Sequence, residues 1–242
     1  GTWWGAKDYF KPKFMMKNHE HIDENTQYPD DFYLTHALSD SAIEFVESQN
    51  DQEKPFFLYL AHYAPHAPIQ APEARIQKCR ERYKAGFVKL QQERFERQKK
   101  LGVAPKNAVL IDQAKRWGKL TDKHKSTWVN TMATYAAMIE IMDDGIGQLM
   151  DVLKKNGQYD NTLILFLSDN GSTPERKDVG ANFCASLSNT PFSGVKSQAL
   201  EGGISSPFIV SWPKKLAEHA GEIRDGHCHI MDVLPTCLEA TG

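Results

Sequence analysis

The sequence is poor in cysteine. It has four in 242 residues: Cys79, Cys184, Cys228 and Cys237. That is too few for a disulfide scaffold at this length, and no pair has the Cys-x-x-Cys spacing of a structural zinc site. One bridge or none is compatible with these positions. No apolar run approaches the roughly 18 residues of a membrane span. The opening Gly1-Thr2-Trp3-Trp4-Gly5 has neither the basic nor the apolar region of a signal peptide. An excess of one charge is also lacking: 29 Lys plus Arg against 31 Asp plus Glu leave a net charge of -2. That balance removes the electrostatic footprint of a nucleic-acid binder. There is no internal repeat, and no glycine spacing matches a Walker or dinucleotide loop. What remains is an ordinary globular composition, 40% hydrophobic and 25% charged, at a length that suits one large domain.

The first 30 residues are aromatic and irregular, with Trp3, Trp4, Tyr9, Phe10 and Phe14 among Pro12 and Pro29, and read as loop. From Thr35 to Gln49, Ala37, Leu38, Ala42, Phe45 and Val46 recur at helical spacing, with Asp40 and Glu44 on the outer side. Lys54-Pro55 stops that helix. Phe56 to Ala61 then reads as a strand buried on both faces, and a loop punctuated by Pro65, Pro68 and Pro72 follows. Glu73 to Leu101 is strongly charged, with a thin apolar stripe of Tyr83, Phe87, Leu90 and Phe95. This predicts an exposed helical excursion at about residues 73–125. Charge runs of this kind are solvated faces unless a polyanion binds them. A second long helix is expected from Lys125 to Lys155, closed by Asn156-Gly157. Thr162 to Leu167 and Pro207 to Trp212 are further strands, and a last helix is expected at Ile230 to Ala240, with Pro235 near its first turn. Strands separated by helices predict an α/β fold with a mostly parallel sheet flanked by helices.

Such sheets place function at the C-terminal ends of their strands. After Leu167 come Asp169 and Asn170, a carboxylate beside an amide oxygen. The pair suits a hard cation, which takes oxygen ligands, and it equally suits an Asp-Asn-Gly turn with no metal. After Ala61 comes His62-Tyr63-Ala64-Pro65-His66-Ala67-Pro68. Prolines on both sides restrict the backbone at His66, and an imidazole aimed in this way can protonate a leaving oxygen near neutral pH. His62 reads as a supporting or simply packed residue. Lys196, ahead of Gly202-Gly203, can bring a point charge to an anion or lie at the surface before a turn.

Taken in order, these segments resemble the type I sulfatases of the alkaline-phosphatase superfamily. The resemblance runs through Pro55-Phe56-Phe57-Leu58-Tyr59-Leu60, Ala64-Pro65-His66-Ala67-Pro68 and Tyr135-Ala136-Ala137-Met138-Ile139 with Met142-Asp143-Asp144. It continues through Ser168-Asp169-Asn170-Gly171, Lys196 with Glu201-Gly202-Gly203, and Pro207-Phe208-Ile209-Val210-Ser211-Trp212-Pro213. The charged excursion and Thr190-Pro191-Phe192 look most like bacterial arylsulfatases. Ser205 stands where many sulfatases continue Glu-Gly-Gly with an arginine, a subfamily variation.

The resemblance implies an alkaline-phosphatase-like fold and a sulfuric ester hydrolase. Asp169 and Asn170 match ligands of a calcium ion (magnesium in some relatives). His66 matches the histidine that protonates the leaving alcohol or phenol, and Lys196 matches the lysine that binds the sulfate oxygens. The family's nucleophile is a formylglycine made from a Cys-x-Pro/Ala-x-Arg motif, and none of the four cysteines begins one. The Asp-Asp metal pair of the family's first strand has no counterpart either. The resemblance therefore places residues 1–242 in the central part of a catalytic domain, with an incomplete sheet, apolar edges open to self-association and no activity in the chain alone. It implies a sulfated small molecule or carbohydrate as substrate, with no nucleic-acid partner and no membrane span. Periplasmic or secreted localisation follows by the same analogy. A phosphodiesterase or phosphonate monoester hydrolase of the same superfamily, and a non-catalytic interaction module, are the alternatives.

Overall fold

A computed structural model describes residues 7–13, 15–22, 27–49, 54–174 and 179–242. Trp3, Trp4 and Phe14 lie outside them. The described part of the irregular opening contains a short hairpin, β1 (Met15–Lys17) and β2 (Glu20–Ile22), where the aromatic, proline-broken sequence predicts loop. Helix α1 (Leu34–Ser48) follows, with Thr35, Ser39, Ala42 and Val46 buried at steps of four, three and four residues. That spacing is one face of a helix. Asp40 and Glu44 are exposed, as expected. The charged region folds as α2 (Glu73–Tyr83), α3 (Phe87–Leu101) and α4 (Ala114–Gly118).

Helix α5 (Asp122–Lys155) is the axis of the molecule. Its 34 residues extend for about 51 Å at 1.5 Å per residue. The Thr121 hydroxyl accepts the His124 N–H at 3.2 Å, and Asp122 in the first turn with Lys154 and Lys155 in the last complement the helix dipole. Both α1 and α2 pack along α5, and α6 (Val179–Ser188) packs against it farther on. Small residues allow the close approach: Ser39 of α1 lies against Gly145 of α5.

The charged faces of the excursion are largely exposed, as its charge run predicts, but its helices also dock on α5. Arg82 pairs with Glu140 of α5 at 3.1 Å, Arg80 donates to Asn130 at 3.0 Å, and Arg75 reaches Asp144. In a separate cluster Phe87, Trp128 and Phe183 are buried, with Trp117 packed on them. Ring centroids lie 4.7 Å apart for Phe87–Phe183, 5.0 Å for Trp117–Trp128 and 5.2 Å for Trp117–Phe183. The stripe looked thin because its partners lie on α4, α5 and α6, far away in sequence. Such edge-on aromatic contacts add about 1 kcal/mol each to their area burial.

Strand β3 (Ile164–Leu167) pairs with β4 (Phe208–Ser211), and the ladder is antiparallel, with Leu167 opposite Phe208. The fold is α/β with helices dominant, and no parallel ladder occurs among the described residues. Alternation of strand and helix implies parallel pairing only when the connection crosses back over the sheet. Here α6 sits against α5 and the chain re-enters beside β3 in the opposite direction. Phe56 to Ala61 has no ladder partner among the described residues and is not buried on both faces. Phe56, Leu58 and Leu60 are half-buried, whereas Phe57 and Tyr59 are 75% and 79% exposed. The chain ends through α7 (Glu201–Ile204), α8 (Pro213–Leu216) and α9 (Val233–Thr241), with Pro235 in the first turn of α9 as expected. None of the four cysteines is bridged.

A Cβ on Gly145 would lie 2.1 Å from Ser39 Oγ and 2.7 Å from its Cβ, whereas one on Gly147 would meet nothing within 4 Å. Gly145→Ala is therefore expected to lower unfolding free energy by about 1–3 kcal/mol through overpacking. Gly147→Ala should raise it by roughly 0.5–1 kcal/mol. Urea denaturation of both variants checks this; equal effects would mean that α1 does not approach α5 at this point.

Candidate active site

The loop after β3 carries Asp169, exposed, and Asn170, half-buried. Two contacts tie it to the entry of β4 and a third ties it to α7. Ser206 Oγ donates to Ser168 O at 2.6 Å, Ser168 N–H donates to Pro207 O at 3.3 Å, and Gly171 N–H donates to Gly203 O at 3.0 Å. Ser168 Oγ donates to Asn170 O at 2.9 Å and closes the turn from within. The turn reading and the ligand reading are thus compatible: the turn orders the backbone that carries both residues.

Lys196 lies on a second loop, half-buried, and its N–H donates to Ser172 O at 3.1 Å. Gly194 has φ 94° and Ser197 φ 71°, so the loop doubles back on both sides of the lysine. Glycines make this approach feasible. A Cβ on Gly171 would lie 1.8 Å from Gly202 O, and one on Gly203 would lie 2.3 Å from Gln198 O. Backbone oxygens cannot rotate aside as a side chain can, so the Gly-Gly pair is a packing requirement of the site.

Asn189, just past the end of α6, joins the two loops. Its Oδ1 accepts the Ser172 N–H at 2.9 Å, and its Nδ2 donates to Ser172 O at 3.1 Å and to Gly194 O at 3.0 Å. Asn189 is held in turn by the excursion. Arg94 donates to Ser188 O at 3.2 Å and Gln98 Nε2 to Thr190 O at 2.8 Å. Burial pulls the Arg94 guanidinium below its ordinary pKa, with Tyr83 and Tyr135 opposing. Burial pushes the Tyr135 phenol up, opposed by its interactions with Ser172 and Ser188. The phenol therefore stays protonated beside the loop that carries Asp169 and Asn170.

His66 stands on a different scaffold. Its N–H donates to Tyr63 O at 2.9 Å, and its carbonyl accepts the Tyr9 hydroxyl at 2.8 Å. Tyr9 and Tyr33 are buried and stacked at 5.7 Å, and Tyr33 Oη donates to Gln70 O at 2.9 Å. Burial, then the neighbouring Tyr33, raise the Tyr9 pKa, which keeps it a donor. The Ala64–Pro65 and Ala67–Pro68 bonds on either side of His66 are cis. The imidazole is exposed, and its Nδ1 lies 2.9 Å from Ala67 O. A carbonyl can only accept, so this contact assigns the proton to Nδ1, and exchange with a substrate oxygen falls to Nε2. His62 is a packed residue: both ring nitrogens are buried without a partner, and burial lowers its pKa towards the neutral form.

The structure therefore brings Asp169, Asn170 and Lys196 together, and sets His66 on tyrosines of the other core cluster. Asp169 and Asn170 fit a hard cation by donor chemistry, as two oxygen ligands of the six to eight that calcium takes. No cluster of three or more His, Cys, Asp or Glu side chains suited to a metal occurs among the described residues. The sequence reading missed Asn189, Ser206 and Tyr135. Asn189 offered one signal, an asparagine at the end of a helix and before Thr190-Pro191, but that pattern is shared by any capped turn.

The sulfatase family model matches residues 2–242, and the chain belongs to the sulfatase family. It is 33% identical to an arylsulfatase of Klebsiella aerogenes, over 90% of this chain and 53% of that protein. It is 32% identical to an uncharacterized sulfatase of Schizosaccharomyces pombe, over 95% of this chain and 46% of that protein. The chain thus spans about half the length of these curated relatives. A crystal structure of Ps i-CgsB in complex with k-i-k-neocarrahexaose superposes with a TM-score of 0.52 at 29% identity, covering 87% of this chain and 38% of that one.

Asn189→Ala removes three hydrogen bonds, and we expect it to cost about 2–4 kcal/mol of unfolding free energy at roughly 1 kcal/mol each. Asn189→Asp keeps the acceptor and loses both donors, so it should fall between. Hydrogen exchange should speed up at Gly171, Ser172 and Lys196 before it does in α5. Unchanged exchange at those amides in the alanine variant would show that Asn189 does not hold the loops.

Proposed function

We propose that the whole protein hydrolyses sulfate esters at the site formed by Asp169, Asn170, Lys196 and His66. The observation that carries this reading is the joining of the Asp169–Asn170 loop to the Lys196 loop through Ser172 and Asn189. That join puts two hard oxygen ligands and one cationic donor on adjoining loops, the combination an anionic ester needs. Calcium, or magnesium, held by Asp169 and Asn170 would draw charge from the sulfuryl oxygens. Lys196 binds those oxygens as a point charge, and the preorganised loops spare the cost of orienting it. His66 gives a proton to the leaving oxygen as the S–O bond breaks and the electron pair goes to that oxygen.

None of Cys79, Cys184, Cys228 and Cys237 opens the motif from which formylglycine is made. In this reading the nucleophile comes from polypeptide beyond these residues, and the 242-residue chain alone is inactive. Phe56 to Ala61 belongs to the same picture. Its period-two exposure is that of a strand with one covered face, and the family resemblance assigns it to a larger, mostly parallel, alkaline-phosphatase-like sheet. The substrate is a sulfated small molecule or carbohydrate; the relatives named arylsulfatase and the oligosaccharide in the Ps i-CgsB complex support that range. No described helix is long and apolar enough to cross a membrane. Export to the periplasm or beyond rests on family analogy.

In the full-length protein, His66→Ala is expected to lower kcat on 4-nitrophenyl sulfate by about 10²–10⁴-fold, the usual loss on removing a general acid. Asp169→Ala should lower turnover and its dependence on added calcium together. Steady-state assays with and without chelator check both, and full activity of Asp169→Ala without added metal would overturn the assignment.

A further inference from the structure

The excursion carries its charge unevenly. Residues 97–125 hold nine Lys and Arg against two Asp and Glu, whereas the rest of the chain holds 20 against 29. A stretch of +7 on a background of -9 thus lies hidden within a net charge of -2. On α2 the cations are spent on the fold, and Arg75, Arg80 and Arg82 each meet a carboxylate. Within residues 97–125 only Lys99 does, with Glu96 at 3.0 Å. Lys100, Lys106, Lys115, Arg116, Lys119 and Lys123 are exposed and have no ion pair among the described residues. The two acids of the stretch serve helix starts: Asp112 accepts the Ala114 N–H at 2.8 Å, and Asp122 stands in the first turn of α5.

These cations are held on a firm base. Trp117 anchors α4 to Phe87 of α3, Trp128 of α5 and Phe183 of α6. Lys115 and Arg116 therefore project from a helix fixed to the core, with Lys119 at its end and Lys123 in the first turn of α5. The Arg116 guanidinium lies 5.9 Å from the Phe183 ring centroid, so this face adjoins α6, the helix that leads into Asn189. Local stability does not explain the pattern. Lys115 and Lys119 are like charges four residues apart, and Lys123 opposes the dipole of α5.

We propose that the face formed by α4 and the start of α5 binds a multiply sulfated polysaccharide and holds that polymer on the enzyme. This rests on the sulfatase reading and deepens it, with a polymer as the substrate. Sulfate groups along a polymer are ionised, exposed and repeated, which is what a set of unpaired lysines on a rigid base matches. Release of their counterions drives such an association. The acidic remainder of the chain turns a polyanion away elsewhere, so binding is confined to this face. Nucleic acid also offers repeated charge, but single strands are gripped by aromatic side chains that stack on bases. Trp117 is the one Phe, Tyr or Trp between Phe95 and Trp128, and its ring is engaged in the core.

Fluorescence anisotropy of the full-length protein with fluorescein-labelled dextran sulfate tests this, with unsulfated dextran and DNA of matched charge as comparisons. Lys115→Glu/Lys119→Glu/Lys123→Glu alters the face, and Lys13→Glu/Lys17→Glu/Lys54→Glu makes the same charge change at exposed positions elsewhere. The first variant should weaken binding about tenfold or more and lower the slope of log Kd against log salt by roughly one per lysine. The second should leave Kd within about twofold, since a rim charge away from the contact acts weakly. Both should keep kcat/KM on 4-nitrophenyl sulfate. Should the charge reversal lower that as well, Lys115→Gln/Lys119→Gln/Lys123→Gln decides by the same loss of binding. Equal losses in the two charge-reversal variants, no loss at the face, or DNA binding as tight as that of dextran sulfate would each overturn the proposal while leaving sulfate hydrolysis intact. If no sulfate ester is turned over, the sulfatase reading fails by itself, because the anisotropy needs no turnover.

Discussion

The carboxamide of Asn189 is the constraint on which the rest of the site depends. Amides alone among uncharged side chains offer two donors and an acceptor in one plane, and Asn189 spends all of them on backbone. It pins Ser172, two residues past Asn170, and Gly194, two residues before Lys196. Without it, the two loops would be held together by backbone bonds such as Lys196 N–H to Ser172 O and Gly171 N–H to Gly203 O, with no side chain bracing them. Apposed glycines at 171 and 202 make the fit tight, since the carbonyl of one loop occupies the space where a side chain would stand on the other.

That constraint is only as firm as the helix that carries it. Helix α6 is set by Phe183, which packs on Phe87 and Trp117, and by Arg94 and Gln98, which bond the carbonyls around Asn189. The path from sequence to chemistry therefore runs through a region that looks dispensable. Aromatic burial in the excursion positions α6, α6 presents Asn189, and Asn189 sets Lys196 beside the loop of Asp169 and Asn170. His66 reaches its place by a separate route, through the buried hydroxyl of Tyr9. A substrate that touches His66 and Lys196 together would bridge two independently supported cores.

Much of this was legible from residue order. The helical recurrence of Ala37, Leu38, Ala42, Phe45 and Val46, the capped span of α5 and the apolar run ending at Leu167 each state their structure locally. The family resemblance named His66, Lys196, Asp169 and Asn170, and the structure brings three of these together. Strand direction was not legible, because Ile164–Leu167 and Phe208–Ser211 have the same apolar pattern whichever way they pair. The docking of the excursion was hidden as well. Phe87, Trp117, Trp128 and Phe183 lie on four different helices, and only the folded chain makes them neighbours. Asn189 carries no apolar period and no charge, so its role exists only in three dimensions.

The most direct measurement is turnover of the full-length protein on matched 4-nitrophenyl sulfate, 4-nitrophenyl phosphate and phenylphosphonate esters, with the 242-residue chain assayed alongside. The account predicts strong preference for sulfate in the full-length protein and no turnover by the shorter chain. Preference for a phosphorus ester would keep the metal loop and contradict the substrate class, and activity of the 242-residue chain alone would contradict the assignment of the nucleophile.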